Sequence, residues 1–417
     1  MNPAINPSLG RQGGFSLVEL MISLVIGLVI LGALVALFSG TSRANREMAT
    51  ANSVIENGRF AIQLLENDVV HAGFWGSYVP VYDDQTAVLP PADTDVPSVV
   101  PDPCRDYITE PWDAAYVTGL LGIPVQVYAV AAVDAGTSCE DVVTSAVANS
   151  DVLVVRHAET CVAGAANCDP DTAGLLYFQS SLCTLECDPP ATPEVARFVL
   201  DRTLADPAAD AALFSLRRRD GITRAEKRRF VSNLYYVRNF AVTAGDGIPT
   251  LVRSSFARDP ISGNLDHVAA VPLVEGVEAI RIELGVDDVS QTNAALTRAD
   301  YLMQIAWANA NTKSVATNRG DGMPDGLFRL CTEADPCHDN ANPNDAFMLM
   351  NVTAVRIHVL ARSRDATRGY TDTKVYRLGN TAPNLGPYPN GPDGGFKRHV
   401  YTTTVRLPNI AGRRLRP

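Results

Sequence analysis

The chain has 417 residues, 46 acidic against 35 basic side chains, and a formal net charge of −11. That length allows one large domain or two smaller ones, and the acidic balance argues against non-specific nucleic-acid binding through phosphate contacts. The eight cysteines, Cys104, Cys139, Cys161, Cys168, Cys183, Cys187, Cys331 and Cys337, all lie beyond an apolar N-terminal run. None forms CxxC, and Cys183 with Cys187 has no second cysteine or histidine pair to complete a zinc site. An even number of such cysteines points to disulfides in an oxidising compartment such as the bacterial periplasm, with free buried thiols in a cytosolic protein as the alternative. Pairing of sequence neighbours (Cys161 with Cys168, Cys183 with Cys187, Cys331 with Cys337) is one connectivity among many.

Residues 15–38, FSLVELMISLVIGLVILGALVALF, carry a single charge, Glu19. As a helix they rise roughly 36 Å, enough to cross a bilayer core with some tilt. The run is too long for the apolar core of an ordinary secretory signal, and its small residues Gly13 and Gly14 precede it rather than follow it. A plain membrane anchor explains the length but not Glu19, because a charge at the bilayer centre costs about 2.5–3.5 kcal/mol and less near an end. The carboxylate needs a partner, yet no Lys or Arg occurs between Arg11 and Arg43.

Gly14–Phe15–Ser16–Leu17–Val18–Glu19 resembles the type III signal of type IV prepilins and pseudopilins. The resemblance implies a leader of residues 1–14, cleavage by a prepilin peptidase between Gly14 and Phe15, and N-methylation of Phe15. Glu19 would then be the fifth mature residue, facing the new N-terminal amine of a neighbouring subunit. Major pilins often carry a kinking proline near the twenty-second mature residue. Ala36 stands there in this chain, leaving Gly27, Gly32 and Gly40 as the weak points of the helix.

No proline occurs between Pro7 and Pro80. Beyond Phe38 the sequence turns polar but keeps an apolar stripe, Met48, Ala51, Ile55, Gly58, Ile62, Leu65 and Val69, at alternating spacings of three and four. This predicts that the helix continues over 15–72, with the stripe covered by a globular head rather than by a coiled-coil partner. Gly73 and Gly76 end it.

Residues 73–190 are rich in Pro, Ala, Asp and Val and read as a loop-rich, disulfide-containing insertion with short strands at 125–133 and 152–156. Residues 191–417 read as a β-rich head, with strands expected at 195–200, 213–218, 230–240, 250–256, 277–286, 352–361 and 400–407. Alternation is clearest in VEAIRIELGV and VTAVRIHVL. One long helix laid on an antiparallel sheet is an α+β architecture. VSNLYYVRN (231–239), LVRSSF (251–256), LVEGVEAIRIELGVD (273–287) and VYTTTVRLPN (400–409) occur in the order seen in PilW-type minor pilins. The likeness implies a type IV pilin fold ending in a strand and a short basic tail, although Pro408 stands where an arginine is expected.

Candidates for chemistry are sparse. NRGDGMPDG (318–326) sets Asp321 and Asp325 in a glycine-rich loop with the oxygen-ligand spacing that Ca²⁺ uses, but the full EF-hand pattern is missing and a solvated turn accounts for it better. The six histidines show no paired spacing, and no nucleophile elbow or phosphate-binding loop occurs, so neither an enzyme nor another cofactor is expected. RRRDGITRAEKRRF (217–230) is a basic cluster, either a solvated turn or a contact for an acidic partner.

The resemblance implies a minor pilin held in the inner membrane by residues 15–38, with a periplasmic head. Its implied partners are the prepilin peptidase, other minor pilins, the pilus assembly platform and a tip adhesin, and its implied role is to prime or cap a type IV pilus. A minor pseudopilin of a type II secretion system, and a tip adhesin binding through residues 77–228, are the alternatives.

Overall fold

In the computed structural model, residues 14–87, 89–107, 112–130, 137–183, 196–338, 342–379, 384–388 and 393–414 are described. Leu17–Val69 form one continuous helix, α1, which runs through Gly27, Gly32 and Gly40 without a break. The chain divides into two compact units, Met1–Ser53 and Val54–Pro417. In the first, the apolar part of α1 has a mean hydropathy of 2.9 and no residue of that window is buried.

The second unit holds the end of α1 and two antiparallel sheets. Its further helices are α2 (Ala114–Gly122), α3 (Pro207–Leu213), α4 (Arg298–Tyr301), α5 (Pro343–Met350) and α6 (Pro408–Arg414). The larger sheet comprises β1 (Val125–Ala129), β2 (Asp151–Ala158), β3 (Leu176–Ser180), β4 (Phe198–Arg202), β5 (Lys227–Arg238), β6 (Thr250–Arg258), β7 (Leu265–His267) and β8 (Val271–Glu275). The smaller comprises β9 (Val277–Val286), β10 (Arg329–Leu330), β11 (Val352–Arg362) and β12 (Arg398–Arg406), in the order β10-β9-β11-β12. The architecture is thus α+β: a long N-terminal helix with an antiparallel β head.

One core joins these parts. Ala61, Leu65 and Val69 of α1 pack with Val125, Val127, Leu153, Val155 and Tyr235 of the larger sheet and Ile280, Ile282, Val355, Ile357 and Val405 of the smaller. Alternation explains the inward set on β9 and β11. On β1 and β2 both faces are buried, because Tyr128, Val152 and Val154 on the far side pack with Cys104, Cys139 and Val143. The Cys104–Cys139 disulfide closes a separation of 35 residues over that face, worth about 4 kcal/mol in the chain-entropy model. Residues 73–190 therefore supply β1, β2 and β3 to the same sheet as β5 and β6, and are part of the head rather than loops set beside it.

The sheets meet where β9 has a free edge. Ser150 Oγ accepts the Ile280 amide at 3.1 Å, and Asp151 Oδ2 accepts the Ile282 amide at 2.7 Å. Asp151 Oδ1 holds the Arg281 guanidinium at 2.6 Å, with both side chains buried. Burial pushes the Asp151 carboxyl up, to about 7, against the pull of Arg281 and the Ile282 amide.

Two expectations are corrected. The inward stripe of α1 is Val54, Gly58, Ala61, Leu65 and Val69, whereas Met48 and Ile55 are exposed. Small residues select this face: the Tyr401 ring lies where a Gly58 side chain would be, 2.1 Å from an ideal Cβ. Residues 213–218 are not a strand. Leu213 ends α3, which begins with Asp206 capping the Ala208 amide and Pro207 in the first turn, a strong helix start. The short basic segment after β12 is helical up to Arg414, because Pro408 opens α6, where proline costs no amide bond.

α6 fastens the end of α1. The Asn409 side-chain amide donates to the carbonyls of Val70, His71 and Ala72 at 3.2–3.4 Å, and Arg413 donates to Gly73 at 2.7 Å. These carbonyls would otherwise lack helical partners. Arg414 is buried between Asp83 at 3.3 Å and Asp287 at 3.0 Å.

Asp68, one residue before the end of α1, ties the helix to the larger sheet. Its carboxylate contacts His157 Nε2 at 3.0 Å and accepts from Asn233 at 3.0 Å and Tyr235 at 2.9 Å. Burial works to raise the Asp68 pKa, but the hydrogen bonds and the His157 charge together bring it below the ordinary value. Burial works to lower that of His157, and Asp68 outweighs it and raises it. The carboxylate's contribution to stability is present above its unfolded pKa of about 4, and the imidazole's below its unfolded pKa of about 6.5. The first is lost as pH falls through the depressed Asp68 pKa, the second as pH rises through the elevated His157 pKa. In thermal unfolding across pH 3–9, His157→Gln should therefore cost roughly 2 kcal/mol near pH 6 and less at alkaline pH, flattening the wild-type alkaline limb.

Alanine is the better helix former by about 1 kcal/mol, but Gly58→Ala should destabilise the head by about 1–3 kcal/mol through the Tyr401 clash. A double-mutant cycle with Tyr401→Ala should recover most of that loss.

Candidate functional site

The described chain starts at Gly14, and α1 begins two residues after Phe15. Ser16 and Glu19 form a reciprocal capping box: the Glu19 carboxylate accepts the Ser16 amide at 3.1 Å, and the Ser16 hydroxyl accepts the Glu19 amide at 3.2 Å. Two amides that the first turn leaves without partners are satisfied in this way, and the acid sits at the positive end of the helix. Among the described residues Glu19 meets a hydrogen-bond donor rather than a cation. The S-x-x-E spacing preceding an apolar run was the signal for this in the sequence.

Further along, the polar side chains of the apolar segment bond to their own helix. Ser23 donates to the Leu20 carbonyl at 2.9 Å, and Thr41 to Leu37 and Phe38 at 3.0 Å. Such back-bonding lets a hydroxyl sit in a hydrocarbon environment without an unmet donor. Leu17–Phe38 rises about 33 Å and presents exposed Leu, Val, Ile and Met around its whole circumference, a surface suited to lipid or to other apolar helices.

The other sequence candidates are placed as follows. Asp321 Oδ1 accepts the Met323 amide at 2.8 Å, and Asp325 Oδ2 accepts the Val289 amide at 2.8 Å. The Asn318 side chain is used by Ala306 and Gln304. Asp321 thus serves a turn of its own loop and Asp325 ties the loop to Val289, and among the described residues no group of three or more His, Cys, Asp or Glu is arranged to hold a metal ion. Disulfides join Cys161 to Cys168 and Cys331 to Cys337. Cys183 is also disulfide-bonded, and Cys187 lies outside the described residues, as does the leader before Gly14.

Four of the basic side chains of the cluster meet acids nearby. Arg218 and Arg228 share Glu226, Lys227 lies between Asp171 at 2.5 Å and Asp210 at 2.9 Å, and Arg229 reaches Asp169 at 3.6 Å. His358 is buried on β11 between Glu283 at 3.2 Å and Thr402 at 2.9 Å. The groups missed by the sequence reading are Asp68 with His157 and Arg414 with Asp83 and Asp287. Their partners lie 89, 331 and 127 residues away, and no local pattern marks them.

Ser16→Ala removes half of the capping box and should weaken the first turn by about 1 kcal/mol. Amide hydrogen exchange of residues 17–20 in detergent micelles should accelerate accordingly, with residues 25–35 unchanged.

Comparison with known proteins bears on both ends of the chain. Residues 234–409 match the family model for the type IV pilus-assembly protein W, and residues 9–35 match the prokaryotic N-terminal methylation motif. Among curated proteins, none matches the sequence. A type IV-like pilin from Thermus thermophilus aligns over 44% of this chain and 70% of its own at 14% identity, with a TM-score of 0.20, too loose to carry weight. Over residues 234–409 the chain is therefore similar to the type IV pilus-assembly protein W family, and over residues 9–35 to proteins with the N-terminal methylation motif.

Proposed function

We propose that this chain is a minor pilin that joins other minor pilins to prime or cap a type IV pilus. The observation that carries the reading is the coincidence in one chain of the methylation motif over 9–35 and the assembly-protein match over 234–409. In this scheme a prepilin peptidase cuts between Gly14 and Phe15, and Phe15 is N-methylated. Residues 15–38 then hold the protein in the inner membrane, with the head in the periplasm. The three disulfides with both cysteines described, and Cys183, suit that oxidising compartment.

Assembly would draw the apolar helix from lipid into a bundle of like helices. Glu19, now close to a chain terminus, would exchange hydrogen bonds within its own first turn for the charged amine of a neighbour. The carboxylate is charged in both arrangements, but the amine adds a full opposite charge, whose attraction grows in an apolar, low-dielectric setting and favours the bundle. The role is structural, and no catalytic step is assigned. The pilus-assembly match favours this reading over a secretion pseudopilin.

Intact-mass and N-terminal analysis of the membrane-extracted protein should find methylated Phe15 as the first residue, and a mature chain still starting at Met1 overturns the scheme. Glu19→Val should insert into the membrane normally but fall at least about tenfold in sheared pilus fractions. Equal recovery of the variant and the wild type would remove the charge-pairing step.

A further inference from the structure

β12 forms one edge of the smaller sheet, and among the described residues no strand pairs with its outer side. Its register with β11 runs from Arg398 to Arg406 without a shift. Just beyond the two ends, the Ser363 amide donates to the Lys397 carbonyl and the Leu407 amide to the Thr353 carbonyl, each at 2.8 Å. Antiparallel alternation between these two bonds turns the backbone groups of His399, Tyr401, Thr403 and Val405 to β11. The amides and carbonyls of Val400, Thr402, Thr404 and Arg406 then point away from the sheet. Thr402, Thr404 and Arg406 are exposed, and among the described residues no hydrogen bond reaches those outward backbone groups.

An open edge of this kind favours pairing, and proteins usually blunt it with charges, proline, a bulge or short length. The stretch HVYTTTV, 399–405, has no Lys, Arg, Asp, Glu or Pro, and its valines and threonines suit extended backbone. Tyr401 over Gly58 and Val405 in the core hold the strand in place from its inner face. Cations flank the edge, although the chain has a net charge of −11. Arg406 reaches only the Gly322 carbonyl, at 3.4 Å, and the exposed Arg59 of α1 lies close enough for its charge to act on Tyr401. Neither arginine meets a carboxylate among the described residues. A second copy of β12 brings no acid to them: paired antiparallel about Thr402, it would set Arg398 against Arg406 at both ends. We propose that β12 receives an added antiparallel strand from a different polypeptide, uncharged in its middle and carrying acids at its ends beside Arg406 and Arg59. Backbone hydrogen bonds to Val400, Thr402 and Thr404 supply the affinity, and the two arginines select the partner's charge. This surface stands whether or not the chain primes a pilus.

The test uses the full-length chain in detergent and the synthetic peptide Glu-Val-Thr-Val-Thr-Val-Glu. Saturable binding is expected by fluorescence polarisation. Amide hydrogen exchange of Val400, Thr402 and Thr404 should slow on binding, with that of Tyr401 and Thr403, already bonded to β11, unchanged. Lys-Val-Thr-Val-Thr-Val-Lys should bind about tenfold more weakly, and the acidic peptide N-methylated on the residues facing β12 should not bind. Thr404→Pro removes one outward amide and no bond to β11, so it should weaken binding about tenfold. Should that variant not fold, the N-methylated peptide still decides. Equal binding of the acidic and basic peptides, or of the methylated and unmethylated ones, overturns the proposal, as does no binding of any. A dimer seen by light scattering and dissolved by Thr404→Pro would make the occupant a second copy, and overturns it too.

Discussion

An extended strand whose amides meet neither another strand nor water must find side chains to receive them. β9 is in that position over its first half, since β11 takes one edge and the short β10 reaches only Glu283 and Leu284 of the other. Ser150 and Asp151, at the start of β2, receive the Ile280 and Ile282 amides. The rest of the head depends on this joint. It sets the angle at which two sheets close on the inward face of α1, and it draws the N-terminal half of the head against the half matched by the family model. Cutting one partner from a buried ion pair such as Arg281–Asp151 costs about 3–5 kcal/mol, a large part of what holds most domains folded.

The legible parts of the sequence were those in which the physics is local. A long apolar run specifies a helix by length and composition alone, and the alternation in 277–286 and 352–361 specifies strands half facing a core. Two signals misled because a second principle competed with them. The stripe through Met48 and Ile55 has correct helical spacing, but periodicity does not say which of two adjacent faces is covered. The choice fell to Gly58 and Ala61, where Tyr401 and the sheets can approach closely. Residues 213–218 have β-like composition, yet Asp206–Pro207 followed by alanines starts a helix that absorbs Leu213.

The candidate site divides along the same line. The Ser16–Glu19 capping box lies within four residues and could be read from spacing. Asp68, Arg281 and Arg414 could not, because an acid on a helix flank or a terminal arginine looks solvated until a distant partner is placed beside it. Buried charges of this kind are poor evidence of net stabilisation, since desolvation offsets most of the attraction. They do specify geometry: each accepts only one arrangement of helix and sheet.

The fastening of α1 by α6 bears on the order of events during synthesis. The helix that ends at Val69 leaves the ribosome some 340 residues before Asn409 and Arg413, which occupy the carbonyls after it. Until α6 forms, the end of that helix is unfinished, and a chain cut short before Pro408 would remain so. A product truncated before Pro408 would carry an unsealed helix end open to proteases.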